Sequence, residues 1–337
     1  MMPLASRPSG MILEAQLDDS DAVAARRRTA YLQLGASLYT PATRHDLRAL
    51  LAGQKYAGMR SVVACTEDAI HAGAVDRALC NLGDALRGLG AFGPLRFVRP
   101  RNPQVLADIL ALGVDQALDG VCLPKFDNDN IGDYLDVLSQ APRLTLMPII
   151  ETEVAFSVDG LLRLRSRLNT VRERVICLRI GGNDLLQLMG MRRPRNMTAY
   201  DTPLRQVIDN MILAFRPAEY DLAAPVYEHI DGAEILVREV ALDVAHGLLA
   251  KTAIHPTQIA LIEDAYAVPS QDAAMAQAVM APDAAAVFRF EGAMAEPATH
   301  ARWASRTLER ARVYGQSDAQ TPAATSRTAP ALLRSRQ

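Results

Sequence analysis

Cysteine is scarce in this sequence, and the few that are present form no metal or disulfide pattern. Only four occur in 337 residues, and none belongs to a C-x-x-C pair. The sequence therefore lacks the cysteine number and spacing typical of a disulfide scaffold or of a zinc site built from Cys and His. Cys65, Cys122 and Cys177 fall inside apolar, strand-like runs, where a small buried thiol is the ordinary interpretation. We predict a protein of a reducing compartment, the cytoplasm.

Long apolar runs and an excess of one charge are also missing. The longest apolar runs fall well short of the ~18 residues that suggest a membrane span, and residues 1–10 do not resemble a secretory signal. The 36 basic and 38 acidic residues are well mixed and leave no basic face. These features argue against membranes and nucleic acid as partners and favour a small molecule.

Eight strand-like runs alternate with longer segments of helical spacing. The runs are LQLGASLY, RSVVAC, LRFVR, DGVCL, LTLMPII, VICLRI, LAAPV and KTAI. Most are apolar on both faces, as parallel strands covered on both sides must be. No glycine-rich dinucleotide fingerprint follows the first run, which weakens a doubly wound alternative. The pattern predicts an α/β fold, a (β/α)₈ TIM barrel.

The composition also predicts the limits of the barrel. Residues 1–30 are polar and arginine-rich and are predicted to form an N-terminal extension. The barrel, with a C-terminal helical segment, is predicted to cover residues 31–312. Residues 313–337 are rich in Ala, Ser, Thr, Pro and Arg, and such a segment cannot bury enough apolar area to offset its ordering entropy. We therefore predict a disordered tail there.

Ionisable or amide side chains follow every predicted strand. In chain order they are Arg44 and His45, Glu67 and Asp68, Arg99 and Arg101, Lys125, Glu151, Asp184, Tyr227 and Glu228, and His255 with Gln258. The loops at the carboxyl ends of barrel strands converge on one mouth, so we expect many of these side chains to meet. Loops are polar in general, and this alternative explains any single case.

Glu151 and Asp184 follow adjacent strands and are suited to hold one divalent cation. Mg²⁺ binds through one or two carboxylates and keeps most of its other ligands as water or substrate oxygens. Gly181 and Gly182, just before Asn183, would let the backbone approach a ligand closely. Two structural roles compete with metal binding: an acid favoured at a helix N-terminus for Glu151, and a helix N-cap for Asp184.

Arginines add fixed positive charge at the predicted mouth. Arg44, Arg99 and Arg101 carry guanidinium groups, which bind carboxylates and phosphates in a two-pronged way. A cation together with arginines suits an anionic substrate that gains negative charge during reaction, as an enolate of carbon–carbon cleavage or condensation does. His45 is either a general base near the mouth or a solvated residue in the first turn of a helix.

The motifs LYTPATR, TED, VRPRN, LPK, IIET, GGNDL and KTAIHPTQI occur in this order, and a late segment reads EGAMAEPATHARWA. In these motifs, over about residues 33 to 312, the chain resembles the citrate lyase β-subunit-like group of the HpcH/HpaI aldolase superfamily. The resemblance implies a (β/α)₈ barrel that forms a trimer or a dimer of trimers. It also implies a carbon–carbon lyase that acts in many members on 3-hydroxyacyl thioesters of coenzyme A.

The resemblance implies a role for individual residues too. Glu151 and Asp184 would hold Mg²⁺, with Mn²⁺ as the alternative ion, and Arg99 would grip the acyl oxygens of the substrate. Arg44 and Glu67, with His45, complete the predicted catalytic set. The predicted substrate-binding residues are Arg101, Lys125, Gly182, Asn183, Pro225 and His255.

Other activities on the same barrel stay open at this point. They are thioester hydrolysis, the handling of phosphoenolpyruvate or a 2-oxo acid, and a non-catalytic, metabolite-binding subunit of a biosynthetic assembly. The residues also leave open whether a coenzyme A thioester is the substrate.

Overall fold

The computed structural model describes residues 30–90 and 92–318. The predicted N-terminal extension, apart from residue 30, and the part of the predicted tail beyond residue 318 lie outside the described residues. Among the residues that are described, no helix combines the length and the apolar character needed to cross a membrane.

Eight parallel strands form the centre of the fold. They are β1 Ala36–Pro41, β2 Ser61–Cys65, β3 Leu95–Arg99, β4 Gly120–Leu123, β5 Thr145–Ile150, β6 Leu178–Ile180, β7 Leu222–Ala223 and β8 Lys251–Ala253. Each strand pairs with its neighbour in chain order, and β1 also pairs with β8. A parallel bridge between Ala224 and Lys251 joins β7 to β8 and closes the ring. The prediction of a (β/α)₈ barrel is confirmed.

The first strand is shorter than predicted. The run LQLGASLY suggested a strand from residue 32, but residues 30–34 are helical and β1 begins at Ala36. Gly35 separates the two with a φ of +51°, a left-handed conformation that glycine adopts without steric cost. The main-chain N–H of Ala36 then donates to Oε1 of Glu263 at 2.8 Å. Apolar content alone did not distinguish this helical turn from a strand.

Helices follow the strands and cover the outside of the barrel. They are α1 Leu47–Leu51, α2 Val75–Leu86, α3 Pro103–Ala111, α4 Ile131–Leu138, α5 Val158–Leu168, α6 Gly182–Leu188, α7 Leu204–Phe215, α8 Ala233–Ala245 and α9 Thr257–Ala265. In α2, Ala78, Leu82 and Leu86 are buried, while Val75 and Leu79 pack against the core as half-buried residues. These residues form a helical stripe that faces the core.

A C-terminal segment closes the end of the barrel at which the strands begin. It comprises β9 Val268–Pro269, α10 Ser270–Val279, the hairpin β10 Phe288–Phe290 and β11 Ala293–Ala295, α11 Pro297–Tyr314 and β12 Gln316–Ser317. Arg60, which precedes β2, places its guanidinium 4.8 Å from the ring centre of Tyr314. The last helix ends at Tyr314, two residues beyond the predicted boundary at residue 312. After it, β12 pairs with β9. Packing of Tyr314 orders this part of the predicted tail.

Candidate active site

A cavity of about 650 Å³ opens at the carboxyl ends of the strands. Its walls combine residues from all eight strands or the loops that follow them. The lining residues are Tyr39, Cys65, Asp68, Ala69, Arg99, Lys125, Ile149, Glu151, Arg179, Ile180, Gly181, Gly182, Asn183, Asp184, Gln187, Val226, Glu228, Thr252 and Ile254. Convergence of strand ends at one mouth is the arrangement in which barrel enzymes place their chemistry.

Glu151 lies directly after β5 and is only 4% exposed. Its Oε1 accepts a hydrogen bond from the main-chain N–H of Lys125 at 2.9 Å. Its other oxygen lies against Gly181, where a methyl group would stand 2.2 Å from Oε2. Glycine is therefore required beside this carboxylate, and its absent side chain leaves the room that Glu151 occupies.

Lys125, which follows β4, links carboxylates that follow β2 and β6. Its ammonium donates to Oε1 of Glu67 at 2.7 Å and lies 3.4 Å from Oδ2 of Asp68 and 3.3 Å from Oδ1 of Asp184. The residue has a φ of +48°, which is uncommon for a side chain with a Cβ. Such conformations persist only where the surrounding structure over-determines them, and they concentrate at functional sites.

Arg99, the last residue of β3, faces the same group of carboxylates. Its guanidinium forms an ion pair with Glu67 and lies 3.2 Å from Oδ2 of Asp68 and 3.5 Å from Oε1 of Glu151. Its Nε is buried without a hydrogen-bond partner among the described residues. The guanidinium thus keeps donor capacity at the wall of the cavity.

We call the six charged residues at this point the mouth cluster: Glu67, Asp68, Arg99, Lys125, Glu151 and Asp184. Its four carboxylates and two cations leave two negative charges in excess. Burial, together with the charge of Asp184, raises the pKa of Glu151 to about 7, although Arg99 acts in the opposite direction. A divalent cation would neutralise the excess and keep Glu151 ionised.

The donor set fits magnesium better than a metal that needs many protein ligands. Among the described residues, no group of three or more His, Cys, Asp or Glu side chains is arranged to hold a metal ion. Glu151 and Asp184 line the same cavity and would supply two carboxylates, leaving the other positions to water and substrate. This set lacks the nitrogen and sulfur ligands that are typical of zinc sites.

The two structural alternatives for these acids do not hold. Helix α6 begins at Gly182 with Gly181 at its N-cap, so Asp184 lies in the first turn and is not the cap. Glu151 is followed by a 3₁₀ turn, Glu153–Phe156, and the next α-helix begins only at Val158. Neither carboxylate caps a helix.

Six predicted site residues are not among those that line this cavity, although one of them, Glu67, contacts the cavity residues Arg99 and Lys125 and belongs to the mouth cluster. Arg44 forms a two-pronged ion pair with Asp46, at 2.8 and 2.9 Å, and His45 is exposed. Arg101 donates to the carbonyls of Glu67 and Ile70, at 2.8 and 2.9 Å. The structure therefore does not bring Arg44 and His45 to the mouth cluster, and Arg44 is instead paired with Asp46 in its own loop. Arg101 supports the loop that carries Glu67.

Pro225 and His255 also lie outside the cavity wall. Pro225 packs against Gly182, at which a methyl group would lie 2.8 Å from the proline Cβ. The ring nitrogen Nδ1 of His255 lies 2.8 Å from Oγ1 of Thr257 in the turn that opens α9. Both residues shape loops at the mouth. Neither residue lines the cavity, whereas Gly182, Asn183 and Lys125 do.

Three charged cavity residues were not among the predicted site residues: Asp68, Arg179 and Glu228. Arg179 lies in the middle of β6, inside the run VICLRI, and Glu228 follows β7. A charge within an otherwise apolar strand was the available signal for Arg179. The sequence identified Asp68 and Glu228 only as polar residues that follow a strand.

Glu228 is held in place by a buried arginine. Oε2 of Glu228 accepts from Nε of Arg193 at 3.0 Å, and Arg193 also forms an ion pair with Glu239. Both oxygens of Glu239 are used, because Lys251 donates to the other one at 2.8 Å. This network ties the chain segment around Arg193 to the barrel interior and fixes Glu228 at the cavity wall.

The sequence matches the model of a family of carbon–carbon bond lyases with the TIM-barrel fold over residues 28–316. The chain belongs to this family. Membership confirms the prediction of a carbon–carbon lyase enzyme and the predicted resemblance to citrate lyase β-subunit-like proteins. None of the curated proteins matches this sequence.

Solved structures of similar fold include lyases from two bacteria. CitE from Mycobacterium tuberculosis, in complex with magnesium, acetoacetate and coenzyme A, is 23% identical, with a TM-score of 0.61 over 82% of this chain and 98% of that chain. A citrate lyase from Burkholderia xenovorans LB400 is 17% identical, with a TM-score of 0.67 over 86% of this chain and 94% of that chain. The M. tuberculosis citrate lyase β subunit complexed with oxaloacetate and magnesium is 20% identical, with a TM-score of 0.51 over 70% and 98% of the two chains. At these identities the likeness concerns the fold.

Proposed function

We propose that this lyase is Mg²⁺-dependent and cleaves or forms a carbon–carbon bond in a small anionic acyl compound or 2-oxo acid through an enolate. The mouth cluster carries the proposal, because its two excess negative charges match one divalent cation. Glu151 and Asp184 would hold the ion. When bound, the ion would act as a Lewis acid on a substrate carbonyl.

Other residues of the site would bind the substrate and position the charged groups. Arg99 offers guanidinium donors to the oxygen on which negative charge develops, and such preorganised donors act most strongly in a site that excludes water. Lys125 fixes Glu67, Asp68 and Asp184 relative to one another through its ammonium. Gly182 and Asn183 bring the start of α6 to the cavity wall.

Cleavage requires a group that receives the proton of a substrate hydroxyl. As the carbon–carbon bond breaks, its electron pair goes to the enolate and the hydroxyl carbon becomes a carbonyl. Glu228 faces the cavity from the side of β7 and forms no ion pair with Arg99 or Lys125. We propose that Glu228 accepts a hydrogen bond from that hydroxyl.

The complexes of related structures support this choice of substrate class. CitE binds magnesium with acetoacetate and coenzyme A, and with pyruvate, and the β subunit binds oxaloacetate with magnesium. We extend to this chain the use of Mg²⁺ and a small anion, with a coenzyme A thioester as one form of the substrate. A trimer or hexamer in the cytoplasm, with Mn²⁺ as a replacement ion, completes the proposal.

A product screen tests the proposed reaction. The protein is incubated with 3-hydroxyacyl thioesters and with 2-oxo acids, with and without Mg²⁺, and the products are identified by mass spectrometry. An oxo acid or aldehyde formed only with Mg²⁺ supports a lyase. Free thiol without carbon–carbon cleavage would replace the proposal with a hydrolase. Binding without any turnover would favour a metabolite-binding subunit.

A further inference from the structure

Arg179 occupies the floor of the cavity, inside the barrel. It lies in β6 and is 2% exposed. Its NH2 donates to Oγ1 of Thr252 at 2.7 Å, and its NH1 lies 3.5 Å from Oγ of Ser37. The guanidinium also stands 5.4 Å from the ring centre of Tyr39. Through these groups, two strands besides β6, namely β1 and β8, contact this charge.

Within the described ranges, no Asp or Glu forms an ion pair with Arg179. Its polar contacts are the hydroxyls of Ser37 and Thr252 and the sulfur of Met147, at 3.7 Å. A guanidinium carries five N–H donors, and these neutral groups satisfy few of them. The positive charge has no counter-charge in its immediate surroundings.

Other buried cations of this chain have carboxylate or carbonyl partners. Lys251 is fully buried and donates to Glu239 and Asp243, each at 2.8 Å. Arg193 pairs with Glu228 and Glu239. Arg96 lacks a carboxylate on its guanidinium, but it donates to the carbonyls of residues 51, 90 and 92. Arg179 alone in this comparison has only hydroxyl and thioether contacts.

A buried cation without a partner is costly, since it loses its hydration and gains little in return. The mouth cavity reaches Arg179, because Tyr39, Arg179 and Thr252 all line it. The mouth cluster cannot supply the missing charge, since its carboxylates contact Arg99 and Lys125. An anion that enters through the mouth can supply this negative charge.

We propose that Arg179 forms a second anion subsite, which binds a carboxylate at the inner end of the substrate. This inference rests on the proposed function, in which Glu151 and Asp184 hold a cation that engages the outer end. The substrate, or the part of it that enters the barrel, is then a short dianion with a carboxylate at each end. A monocarboxylate with an apolar inner end leaves Arg179 unpaired and binds less well.

The test compares two ligands that differ by one carboxylate, (S)-malate and (S)-lactate. Their dissociation constants are measured by calorimetry with the full chain, with and without Mg²⁺. A charge-assisted hydrogen-bonded pair is worth enough to make malate bind about tenfold or more tightly than lactate. Arg179→Met removes the charge and keeps a long side chain, and we expect the ratio of the two constants to fall to about one.

Stability measurements separate this role from a structural one. Because Arg179→Met removes an unpaired buried charge, the ligand-free variant is expected to melt no lower than the wild type. Malate is expected to raise the melting temperature of the wild type and not that of the variant. Arg174→Met is the matched control, because Arg174 donates only to carbonyls, those of Leu144, Leu138 and Ala141, at the other end of the barrel. It should keep the preference for malate.

The possible failures are distinguishable. A wild type without preference for malate, or an Arg179→Met variant that keeps the preference, overturns the subsite. If the methionine variant does not fold, the same ratio of dissociation constants is measured with Arg179→Gln, a second neutral variant. An absence of Mg²⁺ binding, with the malate preference still dependent on Arg179 in metal-free buffer, would overturn the metal assignment and leave the subsite standing.

Discussion

The main-chain N–H of Lys125 lies 2.9 Å from Oε1 of Glu151, and the ammonium of the same lysine lies 3.3 Å from Oδ1 of Asp184. One residue thus contacts both carboxylates proposed to hold the ion. The left-handed backbone at Lys125, with a φ of +48°, accompanies this double contact. The site therefore depends on a backbone conformation as well as on its charged side chains.

The first prediction concerns Glu151. Glu151→Gln keeps the size of the side chain and an oxygen for the N–H of Lys125, but it removes the charge. We expect Mg²⁺ affinity to fall by at least about tenfold, or about 1.4 kcal/mol, and Mg²⁺-dependent turnover to be lost with the barrel folded. Calorimetric Mg²⁺ titration, a turnover assay and the melting temperature measure these effects.

Glu153→Gln is the control for this experiment, because Glu153 is exposed two residues further along. It should bind Mg²⁺ as the wild type does. Unchanged turnover in Glu151→Gln would remove Glu151 from the metal site.

The second prediction concerns Gly181. In Gly181→Ala the new methyl group would lie 2.2 Å from Oε2 and 2.3 Å from Cβ of Glu151, so Glu151 must move. We expect a loss of stability of about 1–3 kcal/mol, as in other overpacked sites, together with weaker Mg²⁺ binding. Gly132→Ala is the control, because a methyl group there meets nothing within 4 Å and Gly132 lies in helix α4. Equal Mg²⁺ affinity in both variants would contradict the proposed geometry.

The third prediction separates the two arginines of the VRPRN motif. Arg99→Gln removes a guanidinium at the cavity wall, and we expect kcat/KM to fall about 100-fold, equivalent to about 2.7 kcal/mol. Arg101→Gln removes two hydrogen bonds to the carbonyls of residues 67 and 70. It should lower the melting temperature and affect kcat/KM less. A larger catalytic effect at Arg101 would reverse the assignment.

The fourth prediction concerns a buried carboxylate beyond the cavity. Asp243 shares the ammonium of Lys251 with Glu239, and it accepts a hydrogen bond from the hydroxyl of Tyr200 at 2.7 Å. Burial raises the pKa of Asp243 to about 6, and the nearby charge of Glu239 acts in the same direction, although Lys251 opposes both. The folded protein therefore keeps a proton on Asp243 at pH values at which the unfolded chain has lost it.

Because the pKa of Asp243 is raised in the folded state, its contribution to the free energy of unfolding is largest below pH ~4 and declines as the pH rises through ~6. Asp243→Asn cannot lose this proton. The stability of the wild type relative to the variant should therefore fall over this interval and level off above it. Denaturant unfolding at a series of pH values measures the difference. A difference that grows with pH would show that Asp243 ionises more easily than its burial indicates.

Much of the barrel could be predicted from local patterns. Runs apolar on both faces require cover on both sides, and alternation with helices makes the strands parallel. Seven of the predicted runs contain the strands, with shorter ends in several cases: the run that starts at Leu222 is a strand only to Ala223. The first run failed at its start, because Gly35 separates a helical turn from β1.

Only some of the site residues could be predicted from the sequence. Glu151 directly follows β5 and Asp184 lies in the first turn of α6, which starts just after β6, so both positions are set by regular elements. Arg44 and His45 lie in the loop after β1, outside any helix or strand, and Arg44 is paired with Asp46 within that loop. The path of such a loop depends on contacts that the local sequence pattern does not contain.

The sequence by itself determined the barrel and the end at which its chemistry lies, because strand and helix periodicity and the residues after each strand are local properties. Only the tertiary structure decided which polar side chains share a cavity. Arg44 and Arg179 are alike as residue types, yet one pairs with a neighbour in its loop and the other lies unpaired among strands from across the ring. Burial and pairing of charge depend on residues distant in sequence, and these meet only when the ring closes.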